Sequence, residues 1–156
     1  MMGISAFVLF DKGSEVPIQK ISKNIKLECI KKDMDFELHL EVNNGKIGSY
    51  NYAVIASRGK IQMENLTVYI KNMEMESDYM ILDWYSKTHV FFFELLIPDF
   101  DENTKLFLDF SIITLNLYPY AKLWIEENWF YTLEDLEKIK NNPFDEDWCY
   151  KNPKEL

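Results

Sequence analysis

The sequence predicts a mainly β or α+β protein, with an antiparallel β-sandwich or strongly bent sheet of about 7–9 strands and a short C-terminal helix. β-branched and aromatic residues, which favour strands, are abundant, whereas alanine occurs only four times. Short apolar runs of strand length are separated by turn residues along most of the chain. Strand and helix signals do not alternate regularly, which argues against a doubly wound parallel fold.

The length of 156 residues fits one globular domain spanning residues 1–156. A chain of this size buries enough surface to fold without a disulfide or a structural metal. Cys29 is expected to be a small core residue, and Cys149 lies far from it in sequence. Residues 4–10 have no basic residue before them and no small-residue cleavage site after them, so they predict a first strand rather than a signal peptide. Reduced thiols and a cytoplasmic location follow from this interpretation.

The clearest strand signal lies at residues 35–42, where apolar side chains alternate with polar ones such as Glu37 and His39. Residues 25–29 show a shorter alternation of the same kind and predict a strand that pairs with 35–42 as a hairpin. The Asn-Asn-Gly segment 43–45 then predicts a turn, because Asn and Gly tolerate positive φ.

Residues 90–97 are almost continuously apolar, which predicts a central strand buried on both faces. A polar loop is expected at 98–104, and Arg58 and Gly59 are expected to form a turn. Further strands are predicted at 49–56, 66–70, 79–84 and 106–117.

The C-terminal part contains the one segment that predicts a helix. Thr132 and Asp135 have the spacing of a capping box, with Asp in place of Glu, and the helix is expected to stop at the Asn-Asn-Pro segment 141–143. Residues 118–128 have mixed signals. Glu126 and Glu127 would lie at the negative end of a helix dipole, so a strand or turn is favoured there.

Charge is distributed unevenly between the two halves of the chain. Residues 1–72 carry a net charge of +2, whereas residues 73–156 carry −11, giving −9 in total. Nine of the 33 residues from 118 to 150 are aromatic. An acidic protein of this kind is not expected to bind nucleic acid or anionic membranes nonspecifically. Carboxylates beside tryptophan and tyrosine suit a surface that docks on a basic protein, although buried aromatics beside solvated acids would give the same pattern.

No motif predicts catalysis, a cofactor or a metal site. The five glycines form no phosphate-binding loop, and His39 and His89 lack zinc-ligand spacing. The loop at 99–103 begins like a calcium loop, but Thr104 stands where that loop needs glycine and Phe110 where it needs glutamate. Glu37, His39 and Glu41 share one strand face and are the only candidate acid/base trio, an arrangement that a solvated strand explains equally well.

This profile is similar to that of bacterial immunity proteins, small acidic inhibitors that cover the basic active site of a toxin, often a nuclease. The similarity lies in size, charge and the lack of a catalytic motif. It implies a non-enzymatic module that binds a basic protein partner. A small-ligand or carbohydrate-binding β-sandwich that stacks its ligand on exposed rings is the alternative. The residues predicted to bind the partner are Trp124, Glu126, Glu127, Trp129, Asp145, Glu146, Asp147 and Trp148.

Overall fold

The computed structural model describes residues 4–44, 48–71 and 79–155, with the side chains of 41–44 and 48–49 left aside. Seven strands and three α-helices occur in these ranges. The strands are β1 (Ala6–Asp11), β2 (Met34–Asn44), β3 (Gly48–Ser57), β4 (Leu66–Lys71), β5 (Tyr79–Met80), β6 (Phe91–Ile97) and β7 (Lys122–Trp124). The helices are α1 (Ile18–Lys31), α2 (Thr104–Leu117) and α3 (Leu133–Asn141).

The strands form one open antiparallel sheet in the order β2-β3-β4-β6-β1-β7, with the short β5 paired to the first residues of β6. This confirms the predicted fold class, including the strand count and the C-terminal helix. β6 lies between β4 and β1, as its apolar run predicts, and five of its seven residues are buried. β2 and β7 are the two outermost strands.

The predicted strand at residues 25–29 is wrong, since this segment belongs to α1. Its buried apolar residues, Ile21, Ile25 and Cys29, are four residues apart, which is helical spacing on one face. Leu27 caused the error: it completes a period-two pattern but is 48% exposed. The chain therefore reaches β2 through a helix, and β2 forms its hairpin with β3 instead.

The predicted strand at residues 106–117 is also wrong, because this run forms α2. The helix begins where the Oδ1 of Asn103 accepts a hydrogen bond from the backbone N–H of Leu106 at 3.1 Å. Nine of its residues are buried. The helix leaves only a narrow polar stripe of Lys105, Asp109 and Asn116, so its apolar run resembled that of a buried strand.

The remaining local predictions concern one helix start, two short segments and a turn. The capping box is confirmed: Thr132 accepts from the N–H of Asp135, whose carboxylate accepts from the N–H of Thr132. The segment at 118–128 contains the short strand β7, whereas the strand expected at 79–84 is only two residues long. Of the predicted turn at 43–45, Gly45 lies outside the described residues.

The main core lies between one face of the sheet and the helices. A smaller cluster covers part of the opposite face, where Leu9, Leu82 and Phe91 are buried under half-buried side chains that include Phe130. No helix in the described part of the chain has both the length and the apolar character that a bilayer span needs.

Candidate functional site

The C-terminal tail, by which we mean residues 144–151, is held against α2 by Trp148. Trp148 was predicted to contact a partner. Trp148 is 1% exposed, and its ring stacks on Phe107 with the centroids 5.2 Å apart. Its indole N–H donates to the carbonyl oxygen of Thr104 at 2.9 Å. The expected role of Trp148 is therefore corrected: its indole fills a pocket of its own chain and cannot enter a partner.

The anchored tail places its acidic residues beside the start of α2. Asp101 and Glu102 from the loop before the helix meet Glu146 and Asp147 from the tail in a cleft of about 390 Å³. We call this the acidic cleft. Asn103, Thr104, Lys105, Phe144 and Tyr150 complete its lining.

Two aromatic rings in the acidic cleft reach solvent. Phe144 is 44% exposed and Tyr150 is 43% exposed. The ammonium of Lys105 lies 5.7 Å from the centroid of the Phe144 ring, while Tyr150 packs loosely on the buried Phe100 at 6.5 Å. Exposed aromatic area beside four carboxylates is the combination that the sequence predicted for a docking surface, but it is built partly from other residues.

The carboxylates in and beside the acidic cleft raise the pKa values of two neighbouring groups, Cys149 and Tyr150. Burial, together with smaller charge repulsion from Asp147, Asp101 and Asp145, raises the pKa of the Cys149 thiol to about 12. Burial also raises the pKa of Tyr150, and Cys149, Asp101 and Asp147 add to that effect. Cys149 is thus an unreactive thiol. Asp101 and Asp147 thus act on both groups.

Asp145 has a structural role next to the acidic cleft. Its carboxylate accepts from the ammonium of Lys151 at 2.5 Å and from the N–H of Asp147 at 2.9 Å. The bond from Lys151 is the main cause of its lowered pKa. Asp145 is therefore partly neutralised, and Glu146 and Asp147, both exposed, carry the free charge of the tail.

Trp124, Glu126 and Glu127 are grouped in the turn that follows β7. The indole N–H of Trp124 donates to the carbonyl oxygen of Glu127 at 2.8 Å, and Glu126 has a φ of 57° at the corner of the turn. Both glutamates are exposed, whereas the Trp124 ring lies against Phe7 with centroids 5.3 Å apart. The turn thus offers two exposed charges beside a half-buried ring.

Trp129 packs half-buried against the main core. Next to it, the Tyr131 hydroxyl donates to the carbonyl oxygen of Lys151 at 2.5 Å. The carbonyl oxygen of Trp148 lies 3.2 Å from the same hydroxyl. Tyr131 thus joins the segment between the β7 turn and α3 to the tail. The predicted residues form two groups on either side of this contact, the β7 turn and the tail.

The prediction missed Asp101, Glu102, Phe144 and Tyr150, which line the acidic cleft. Asp101 and Glu102 lie in one of the most acidic stretches of the sequence, and Phe144 and Tyr150 flank the predicted tail residues. Those signals were visible, but no local pattern indicates that residues 101–102 and 146–147 meet.

The sheet face opposite the main core carries a second feature, a row of cross-strand neighbours that we call the sheet-face row. One residue from each of six strands is opposite the next in register, and all six are exposed or half-buried. The row runs His39, Tyr52, Tyr69, Leu96, Phe7 and Trp124.

Two further groups of acid/base side chains occur in the described part of the chain. His39 stacks on Tyr52 with ring centroids 4.4 Å apart and is exposed beside Glu37 on the sheet face; the side chain of Glu41 is outside the described set. Nε2 of His89 lies 2.6 Å from Oδ1 of Asp11, and both side chains are more than one-third exposed. Within the described ranges, no three His, Cys, Asp or Glu side chains are placed to hold a metal ion.

A comparison with protein-family models, with curated proteins and with solved structures finds no match to this chain. The assignment of a function therefore rests on its own residues.

Proposed function

We propose that the chain is a non-enzymatic protein-binding module of the cytoplasm, an immunity-type inhibitor that covers the basic active site of a toxin or nuclease. The acidic cleft carries this proposal, because it combines four carboxylates with two half-exposed aromatic rings in one concave surface.

Each component of the acidic cleft suits a step of binding a basic protein. The charges of Asp101, Glu102, Glu146 and Asp147 attract and orient a basic surface and suppress acidic partners. Phe144 and Tyr150 have enough exposed area to be desolvated on contact, which is how aromatic residues stabilise an interface. Lys105 limits the repulsion among the carboxylates in the free protein. In the complex, carboxylates would occupy the places that phosphates of a nucleic acid substrate take.

Reversing the two free charges of the tail tests the acidic cleft. Glu146→Lys with Asp147→Lys should weaken binding of the basic partner about tenfold or more, since two attractive contacts become repulsive. Wild-type protein and the double variant are used to capture partners from the native host, and the affinity for the recovered partner is measured by calorimetry.

Asp83→Lys with Glu137→Lys is the matched control, because both side chains are exposed and neither lines the acidic cleft. It changes the net charge equally and should leave the affinity unchanged. Equal affinities for the two double variants, or no stoichiometric basic protein on wild-type chain, would contradict the proposal.

The sheet-face row favours a second candidate function, binding of a small ligand or carbohydrate. Rings in register across a sheet give an extended platform on which an elongated ligand can stack. The geometry supports this less strongly: His39 and Tyr52 stack on each other at an interplanar angle of 12°, and Trp124 is held by its own turn.

The second candidate predicts a ligand-dependent rise in melting temperature. Soluble oligosaccharides that bind the sheet-face row should stabilise the folded chain, and Tyr52→Ala should abolish the shift. Tyr120→Ala, which removes a ring that is 49% exposed and not part of the row, should retain the shift. Thermal unfolding with a panel of oligosaccharides measures both, and a flat response of the wild type excludes this function.

A further inference from the structure

The two edges of the sheet differ in how they are protected. β7 is only three residues long, and its outer side is bridged by Tyr131: the Leu123 N–H donates to the Tyr131 carbonyl at 3.0 Å and the reverse bond measures 2.9 Å. β2 is eleven residues long, and among the described strands it pairs only with β3. An outer strand of this length presents a row of backbone donors and acceptors to any extended chain.

β2 lacks some of the devices that keep outer strands from pairing, although it has acidic residues and one irregularity. It contains no lysine, arginine or proline. Its register with β3 is regular from Met34 to His39, and the one irregularity lies between His39 and Val42. Leu40, at that irregularity, is 60% exposed. The regular stretch of six residues is long enough to template an added strand.

The two faces of β2 specify what the added strand would carry. Asp35 and Glu37 belong to the open face, the side of the sheet opposite the main core, in register with Ala56 and Val54. Glu37 is exposed, whereas the carboxylate of Asp35 also accepts a hydrogen bond from the N–H of Gly59 at 2.8 Å. β3 contributes no charged residue. Phe36 and Leu38 are half-buried and pack on the main core. Cross-strand neighbours of opposite charge are stabilising, so basic side chains suit the open face and apolar ones the core face.

A second copy of the chain fits this edge poorly. If two β2 strands paired antiparallel about Phe36, Asp35 of one copy would be opposite Glu37 of the other. If they paired about Glu37, the two Glu37 side chains would meet. Like charges directly opposite one another destabilise a strand pair. Charge complementarity therefore selects a basic partner.

We propose that the outer edge of β2 accepts an extended segment of a basic protein as an added strand, with lysine or arginine opposite Asp35 and Glu37 and apolar side chains beside Phe36 and Leu38. Main-chain hydrogen bonds supply the affinity and the alternating side chains the specificity. The inference rests on the proposed function only in taking the partner to be a basic protein, because β2 does not line the acidic cleft.

The test uses a blocked hexapeptide of alternating lysine and valine as the probe, titrated into ¹⁵N-labelled full-length protein. Amide shifts should change in Met34–His39, and the amides that gain a partner should exchange more slowly. The same peptide with its alternate backbone nitrogens methylated keeps its charge but cannot complete the ladder, and it should not bind. Glu37→Lys should weaken binding about tenfold, while Glu137→Lys, on the exposed side of α3, should not.

Three outcomes would overturn strand addition: equal binding of the methylated peptide, shift changes confined to the acidic cleft, or a concentration-dependent dimer through β2 without peptide. These leave the proposed function standing if the Glu146 and Asp147 reversal still weakens binding of the natural partner. Conversely, peptide uptake at β2 without any effect of that reversal would retain the strand addition and reject the role of the acidic cleft.

Discussion

Replacing Trp148 with alanine should lower the free energy of unfolding by about 3–5 kcal/mol, the cost typical of removing a fully buried large aromatic side chain. The indole is 1% exposed and stacks on Phe107. Tyr131 meets it edge-on, with the centroids 5.5 Å apart. Its hydrogen bond to Thr104 would also be lost, leaving that carbonyl without its indole partner. Denaturant unfolding of both proteins measures the difference.

Phe144→Ala is the matched control, because Phe144 lies in the same tail but is 44% exposed. It should cost far less stability. Trp148→Phe keeps part of the stacking and should fall between the two. If Trp148→Ala unfolded at the wild-type denaturant concentration, the tail would not be anchored as described, and the acidic cleft would lose its structural basis.

Glu94→Gln should remove much of the pH dependence of stability. Glu94 is 1% exposed. Its pKa is raised from 4.5 to about 8, mainly by burial and to a smaller extent by the charge of Glu15. The hydrogen bond that its Oε1 accepts from the Val16 N–H at 2.5 Å opposes this rise. Because the pKa is higher in the folded state, this contribution to stability is fully present below pH 4.5. It is lost as the pH rises through about 8.

The expected difference is large because the carboxyl group is so deeply buried. A pKa raised from 4.5 to about 8 changes the free energy of unfolding by roughly 4–5 kcal/mol between these two pH values. Glutamine keeps an oxygen for the Val16 N–H but does not ionise. The variant should therefore match wild type near pH 4.5 and be the more stable protein above pH 8.

Denaturant midpoints measured from pH 4.5 to 9 test this. Glu137→Gln, an exposed change of the same kind, corrects for the effect of net charge. Parallel curves for wild type and Glu94→Gln would show that Glu94 does not govern the dependence.

Sequence patterns predicted those elements whose signal is local. Thr132 and Asp135 are three residues apart, so their capping box could be identified without tertiary information. α1 was missed because Leu27 extended a false alternation. α2 was missed because a helix buried on most sides shows only a narrow polar face.

The candidate site was predictable in chemistry but not in assembly. The sequence indicates that acid and aromatic residues concentrate in the C-terminal half, and this is where the acidic cleft lies. The fate of Trp148 depends on contacts with Thr104 and Phe107, more than forty residues away, which no local spacing reports. Composition alone cannot separate an indole that binds a partner from one that fixes its own chain.

The bridge between Leu123 and Tyr131 has a consequence for assembly. An open-ended filament built by joining sheets would need the β2 edge of one molecule to meet a free β7 edge on the next. Tyr131 already occupies that position, so growth stops after a single addition. If β2 accepts an added strand, the bridge at β7 thus protects the protein from polymerising through its sheet edges.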